Sequence, residues 1–249
     1  MTKVLSHKTK LIGQLGSIQH TNILDYGCGR GDFIELILMS NQKPKSIVAV
    51  DSSAEMISHI QQDFSQAITE HLVQTIVCSS PKALSGMKFD KILCHNVLEC
   101  VDDKLSFIND FGGILADGGT LIISHHDFDS AIYNSAYKEN TRALIHHFAD
   151  AQQSWQTHCD GQMGRQIPGL IASSVFNTHA TIETWRIVEK EFQPGNYGFL
   201  MAEMITDIAK TTHDATTLKS WISDLEEKNK HQNYYFAIDL VVAVLRQSK

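Results

Sequence analysis

The residues from Ile23 to Phe33, Ile-Leu-Asp-Tyr-Gly-Cys-Gly-Arg-Gly-Asp-Phe, constrain the fold more than any other stretch of the chain. They predict a short buried strand, Ile23–Tyr26, then a turn through Gly27, Gly29 and Gly31, then a helix with apolar Phe33, Leu36 and Ile37. Glycines in such a turn adopt backbone angles closed to other residues and let a ligand lie against the main chain, so the turn is suited to a nucleoside-bearing ligand. A dinucleotide would require glycine or alanine at position 32, where a helix N-terminus receives the pyrophosphate. Asp32 stands there instead. Its carboxylate suits the helix dipole and repels phosphate, but it does not exclude a ligand carrying a sulfonium and an ammonium group. Asp25, just before the first glycine, points the same way.

Beyond this turn the pattern alternates. Ser46–Val50 reads as a second buried strand ending at Asp51, and Ala54–Phe64 as a helix. Asp51 is placed, about twenty residues beyond the glycine turn, to accept both hydroxyl protons of a ribose. Capping of the following helix by Asp51, Ser52 or Ser53 is the structural alternative. Leu72–Cys78 supplies a third strand; Phe89–Val101 reads as a fourth strand and the loop after it, and His95 and Asn96 leave the end of that strand toward a ligand, unless His95 is a capping or satisfied buried histidine. Ile108–Leu115 reads as a helix, and Ala116-Asp117-Gly118-Gly119 as a tight turn into a fifth strand, Thr120–Ser124. His125, His126, Asp127, Phe128 and Asp129 follow directly.

From Asp127 to about Ala180 the alternation stops. Leu144, Ile145, Phe148 and Trp155 form an apolar helical stripe, while Gly161, Gly164 and Pro168 interrupt a polar turn bearing His158, Asp160, Gln162 and Arg165. This segment reads as an inserted helical lid that selects the substrate. Ala180–Phe192 reads as a sixth strand, Phe199–Lys210 and Thr217–Lys230 as helices, and Tyr234–Leu245 as a seventh, central-type strand. The turn Pro194–Phe199 presents Tyr197 to a flat substrate.

Leu-Asp-Tyr-Gly-Cys-Gly-Arg-Gly resembles motif I of the class I S-adenosylmethionine (SAM)-dependent methyltransferases, and His-Asn-Val-Leu-Glu-Cys-Val is similar to a later motif of the same family with Cys100 in place of histidine. Within the family the chain most resembles the small-molecule branch that includes the ubiquinone/menaquinone-biosynthesis enzymes. The resemblance implies an α/β fold: a Rossmann-like, seven-stranded, mostly parallel sheet flanked by helices, with its last strand antiparallel and a helical lid after the fifth. It implies one domain over residues 1–249, with an N-terminal segment (1–22), a cofactor-binding half (23–126), a lid (127–180) and C-terminal strands and helices (181–249). The N-terminal segment is shorter than the helical cover of many relatives, so another part must close the pocket.

The activity implied is methyl transfer from SAM, which leaves S-adenosylhomocysteine (SAH), to an N or O atom of a small metabolite. The implied cofactor contacts are Asp25, Tyr26, Gly27, Gly29, Gly31, Asp51, Ser52, Met56, Ser79, Ser80, His95 and Asn96. Ser79 stands where relatives carry an acidic residue near the adenine, so it offers a hydroxyl without the charge. His126, or its neighbour His125, is the expected general base, since imidazole titrates near neutrality and only one of two adjacent strand residues faces a pocket. Asp127, Phe128, Arg165 and Tyr197 are the expected substrate contacts.

Composition narrows the alternatives. In 249 residues a net charge of −7, with no Lys/Arg cluster, argues against nucleic acid and for a small-molecule substrate. Five cysteines without a C-x-x-C pair, no apolar run of membrane length and no secretory profile in Met1–Asn22 predict a cytoplasmic protein without structural zinc or membrane insertion. Adjacent histidines such as His146 and His147 point apart on a helix and make a poor shared metal site. A homodimer stays open, as do a non-catalytic nucleoside- or SAM-binding protein and, less compatibly with Asp32, an NAD(P)-dependent oxidoreductase on the same fold.

Overall fold

The computed structural model describes residues 6–152 and 159–247. Trp155 and His158 lie outside the described residues. Nine helices and seven strands alternate along the described chain. The first four strands are β1 (Asn22–Tyr26), β2 (Ser46–Asp51), β3 (Val73–Val77) and β4 (Phe89–His95). They are followed by β5 (Leu115–Tyr133), β6 (Ala180–Glu189) and β7 (Phe236–Arg246), and the sheet order is β3-β2-β1-β4-β5-β7-β6. The ladders β2/β3, β1/β2, β1/β4 and β4/β5 are parallel. β7 runs opposite to its neighbours: Asn134 N donates to Tyr235 O and Gln247 N to Gly119 O on one side, and Arg246 N to His179 O on the other. This is the expected arrangement of a mostly parallel sheet with a reversed last strand.

The chain divides into two compact units. One comprises Ser6–Ser124, Ile167–Glu183 and the chain from Val242. β1, β2 and β4 are largely buried there, with Ile23, Leu24, Ile47, Val48, Ile92 and Leu93 in the core, as expected for parallel strands covered on both faces, while edge strand β3 is buried only at Val73. Helices α1 (Ser6–Gln14), α2 (Asp32–Met39), α3 (Ala54–Asp63), α4 (Ser65–Thr69) and α5 (Lys104–Asp110) accompany them. α5 starts and ends before the predicted Ile108–Leu115: Asp103 caps it by accepting from Ser106 N at 2.9 Å, and the chain tightens through Phe111–Gly113 before Leu115 opens β5. The predicted turn at Ala116–Gly119 is an irregular bulge inside β5, with four residues opposite Asp90, because Phe89 pairs with Leu115 and Lys91 with Thr120.

The other unit comprises His125–Gln166 and Thr184–Val241. Its core gathers Tyr133, Leu144, Ile145, Met201, Ile205, Trp221, Leu225 and Phe236, from β5, α6 (Lys138–Asp150), α8 (Tyr197–Ala209), α9 (Ala215–Lys230) and β7. β5 extends to Tyr133, nine residues beyond the predicted Ser124. Helix α7 (Met163–Ser173) contains Gly164 and Pro168, which the sequence pattern assigns to a turn. Its stripe of Met163, Ile167 and Ile171, all fully buried at i, i+4 and i+8, outweighs the two breakers.

Candidate functional site

The glycine turn is tied to the neighbouring strand by its own backbone. Gly27 N and Cys28 N both donate to Val50 O, at 2.8 and 2.9 Å, and Gly31 N donates to Cys28 O at 2.9 Å. Gly27 and Gly31 have φ of +74° and +85°, and added Cβ atoms would lie 2.2 Å from Val97 Cγ2 and 2.5 Å from Phe64 Cε2. These two glycines are required by both angle and space. Gly29 differs: nothing lies within 4 Å of its Cβ position, so the loop presents an open backbone face there.

Asp51 holds that face in place. One carboxylate oxygen accepts from Gly29 N at 3.0 Å and the other from Ser53 N at 2.9 Å. The cap of α3 belongs to Ser53, whose hydroxyl accepts from Met56 N at 3.3 Å, so capping does not account for Asp51. Ser52 and Ser79 are exposed and Met56 half-buried; Ser80 accepts from Lys82 N at 3.3 Å at the start of a short 3₁₀ turn.

Asp25 is buried at the end of β1, and its Oδ2 has no hydrogen-bond partner. Burial pushes its carboxyl up to about 7; Lys8 pulls it down while Asp32 and Asp51 push it further up. The adjacent Tyr26 packs edge-on against Phe107 and Phe111. Asn96, at the end of β4, holds a φ of +54° and donates its N–H to Ser124 O at 2.9 Å, while His95 Nδ1 lies 2.9 Å from Ser124 Oγ.

Two residues outside the motif complete this end of the sheet. Helix α1 sets His7 with its ring 6.1 Å from that of His95, and Lys8 in an ion pair with Asp32, 5.6 Å from the centre of the Phe33 ring. His7 is held down at about 4, chiefly by burial and then by Lys8, with Asp32 opposing. Sequence reasoning passed over both, although His7, Leu11 and Leu15 share one helical face and all three are buried.

Past Ser124, β5 carries His125 and His126, both fully buried. His125 Nδ1 lies 2.8 Å from the carbonyl oxygen of His126, so that nitrogen bears the proton and the basic lone pair of a neutral ring sits on Nε2. The His126 ring stacks on Tyr197 at 4.5 Å and 20° and on Phe128 at 5.9 Å and 23°. Tyr197 opens α8, where Glu189 of β6 accepts from Tyr197 N at 2.8 Å and Gly198 N at 2.7 Å and serves as the cap. Asp127 and Arg165 meet each other: Nε and Nη2 donate to the two carboxylate oxygens at 2.5 Å each, and the third nitrogen, Nη1, lies 3.3 Å from Asp129 Oδ2. Gly164 permits this, since a Cβ there would lie 2.9 Å from Asp127 N. The Arg165 charge is therefore already matched by carboxylates.

A family model described as a methyltransferase domain matches residues 2–170. The chain belongs to that family. The chain is 23% identical over 171 residues to an uncharacterized 37.1 kDa protein in transposon Tn4556 of Streptomyces fradiae, covering 69% of this chain and 48% of that one. It is also 26% identical over 106 residues to a carboxy-S-adenosyl-L-methionine synthase of Trichodesmium erythraeum, 42% of each chain. It thus matches about half the length of these curated relatives. In fold it is similar to the N-methyltransferase NodS of Bradyrhizobium japonicum, solved with SAH (TM-score 0.53, 14% identity, 98% of this chain and 86% of that one). It is likewise similar to a geranyl diphosphate C-methyltransferase of Streptomyces coelicolor (TM-score 0.51, 12% identity, 97% and 80%). The chain shares a Rossmann-like fold with these two solved structures. No helix among the described residues is long and apolar enough to cross a membrane.

Proposed function

We infer that the methyltransferase uses SAM to methylate an N or O atom of a small-molecule acceptor. The observation that carries this reading is the pairing of an open backbone face at Gly29 with Asp51, whose carboxylate reaches the Gly29 N–H and keeps lone pairs for a ribose. The orphaned buried oxygen of Asp25, and Asp32 at the start of α2, suit a ligand that arrives with positive charge. The same carboxylates disfavour the pyrophosphate of a dinucleotide.

In this reading Gly27, Gly29 and Gly31 cradle the cofactor, Asp51 holds its ribose, and Asp25, His95 and Asn96 border it. Ser52, Met56, Ser79 and Ser80 border the adenosyl half. Bound SAM supplies an electrophilic methyl group on a cationic sulfur. What remains for the chain is to orient the acceptor, exclude water and take a proton. His126 takes the acceptor's proton on an imidazole nitrogen, and its stacking on Tyr197 and Phe128 fixes the plane of the ring. Asp127 and Arg165 act on the acceptor as a preformed ion pair, which favours a neutral or cationic acceptor over an anionic one.

The direct test is ligand-dependent melting of the purified protein. SAH raises the melting temperature and NAD(P) leaves it unchanged; the reverse ranking overturns the assignment.

A further inference from the structure

The glycine turn, the start of α2 and α1 together hold more charge than a cradle for a neutral nucleoside needs. Asp25 is buried with one oxygen lacking a hydrogen-bond partner, and the charges that act on it are Lys8, Asp32 and Asp51. Lys8 is the one cation among these three groups, and Arg30, in the turn itself, is exposed. Its ammonium is paired with Asp32 and sits above the Phe33 ring, and its side chain is only 17% exposed against 55% for Asp32. A lysine held this way by a carboxylate and an aromatic face is a fixed local charge.

This inference rests on the SAM reading. The donor and its spent product differ at one place: SAM carries a cationic sulfur, and SAH carries a neutral thioether. Contacts to adenine, ribose and amino acid are common to both ligands and cancel in the comparison, so a charge beside the cradle is what separates them. Asp25, Asp32 and Asp51 favour the cation, and Lys8 opposes it.

We propose that Lys8 is a specificity-determining residue that sets how strongly the cradle prefers the charged donor to its neutral product, by offsetting the carboxylates of Asp32 and Asp25. A cradle without Lys8 would hold the donor more tightly relative to the product. With Lys8 the two bind more nearly alike, and the cradle attracts other cations less.

The test is calorimetric titration of the full chain with SAM and with SAH, and the readout is the ratio of the two dissociation constants. Lys8→Met keeps an unbranched apolar stem over Phe33 and removes the charge. The expected change is a rise of roughly threefold to tenfold in the preference for SAM at low salt, the effect expected of removing one unit charge in a partly screened medium. Lys8→Arg keeps the wild-type ratio, and Asp32→Asn lowers it by a similar factor. Molar salt shrinks all of these differences.

If Lys8→Met weakens SAM and SAH alike, or leaves both unchanged, Lys8 does no more than fasten α1 and the proposal is overturned while the SAM reading stands. If the wild-type protein binds neither ligand, the SAM reading itself fails and the proposal with it. Urea melts of each variant identify any that does not fold, and Asp32→Asn then carries the comparison from the opposite sign of charge.

Discussion

Replacing Asp51 by alanine separates the cofactor role of this residue from its structural one. The carboxylate accepts two backbone N–H groups, Gly29 at 3.0 Å and Ser53 at 2.9 Å, from a half-buried position. Two such bonds contribute about 1 kcal/mol each, so Asp51→Ala should cost about 2 kcal/mol of stability. In a chain of 249 residues that corresponds to a melting temperature lower by about 4–8 °C, and the protein stays folded at 25 °C. Binding should suffer more. Two charge-assisted hydrogen bonds to ribose hydroxyls are each worth about 1.5–3 kcal/mol, and the loss of the Gly29 tether loosens the cradle as well. The dissociation constant for SAH should therefore rise by at least about a hundredfold. Asp51→Asn, which keeps a single acceptor oxygen, should fall between. Calorimetric titration with SAH beside a urea melt reads both quantities on one sample. A folded Asp51→Ala protein that binds SAH within about threefold of wild type would refute the ribose role, since only the structural cost would then remain.

Three further outcomes are expected. Gly27→Ala meets both a φ of +74° and Val97 Cγ2 at 2.2 Å and should cost about 3 kcal/mol, whereas Gly29→Ala, with no atom within 4 Å, should cost about 1 kcal/mol yet weaken SAH binding; equal urea midpoints would contradict this. Because the folded-state pKa of Asp25, about 7, lies above that of the unfolded chain, stability associated with this group falls as pH rises from about 4 to about 7. Asp25→Asn should then stabilise at pH 8, by at most about 4 kcal/mol, and have no such effect at pH 4. His7, held at about 4, works in the opposite sense as pH falls from about 6.5, so melting curves across pH 4–8 are best taken in a His7→Gln background. Arg165→Ala leaves Asp127 buried and unpaired and should cost about 2 kcal/mol, and Arg165→Lys should not restore it, because a lysine cannot make the two-pronged contact at 2.5 Å; an unchanged urea midpoint for either variant would count against the pair.

The cofactor half of the fold was legible because its signals are local. β1 and β2 are short buried runs bounded by turn residues, and the ends predicted for β1, β2 and β3 are each found within one residue. The glycine spacing and Asp51 are set by the main chain itself, so residue type and position suffice to read them. What escaped depends on partners distant in sequence. The bulge at Ala116–Gly119 is decided by pairing with β4, and its glycines read as a turn when taken alone. The helical state of Gly164 and Pro168 is decided by the burial of Met163, Ile167 and Ile171. Glu189 caps a helix eight residues ahead in place of Asn196, whose side chain makes no capping bond. The meeting of Asp127 with Arg165 spans 38 residues and changes what each offers a ligand, which no spacing rule reveals.

The cap supplied by Glu189 has a consequence for how this chain can vary. Its two bonds, to Tyr197 and Gly198, pin together the ends of the stretch 190–196, so that α8 begins at the same place whatever lies between. Closing a longer loop costs only about 0.6 kcal/mol per doubling of its length. Extra residues added at the Pro194–Gly195 tip, beyond the buried Phe192, would therefore protrude without dragging the helix along, and this is where new length, a fused epitope or a grafted recognition loop can be accommodated with Tyr197 left undisturbed.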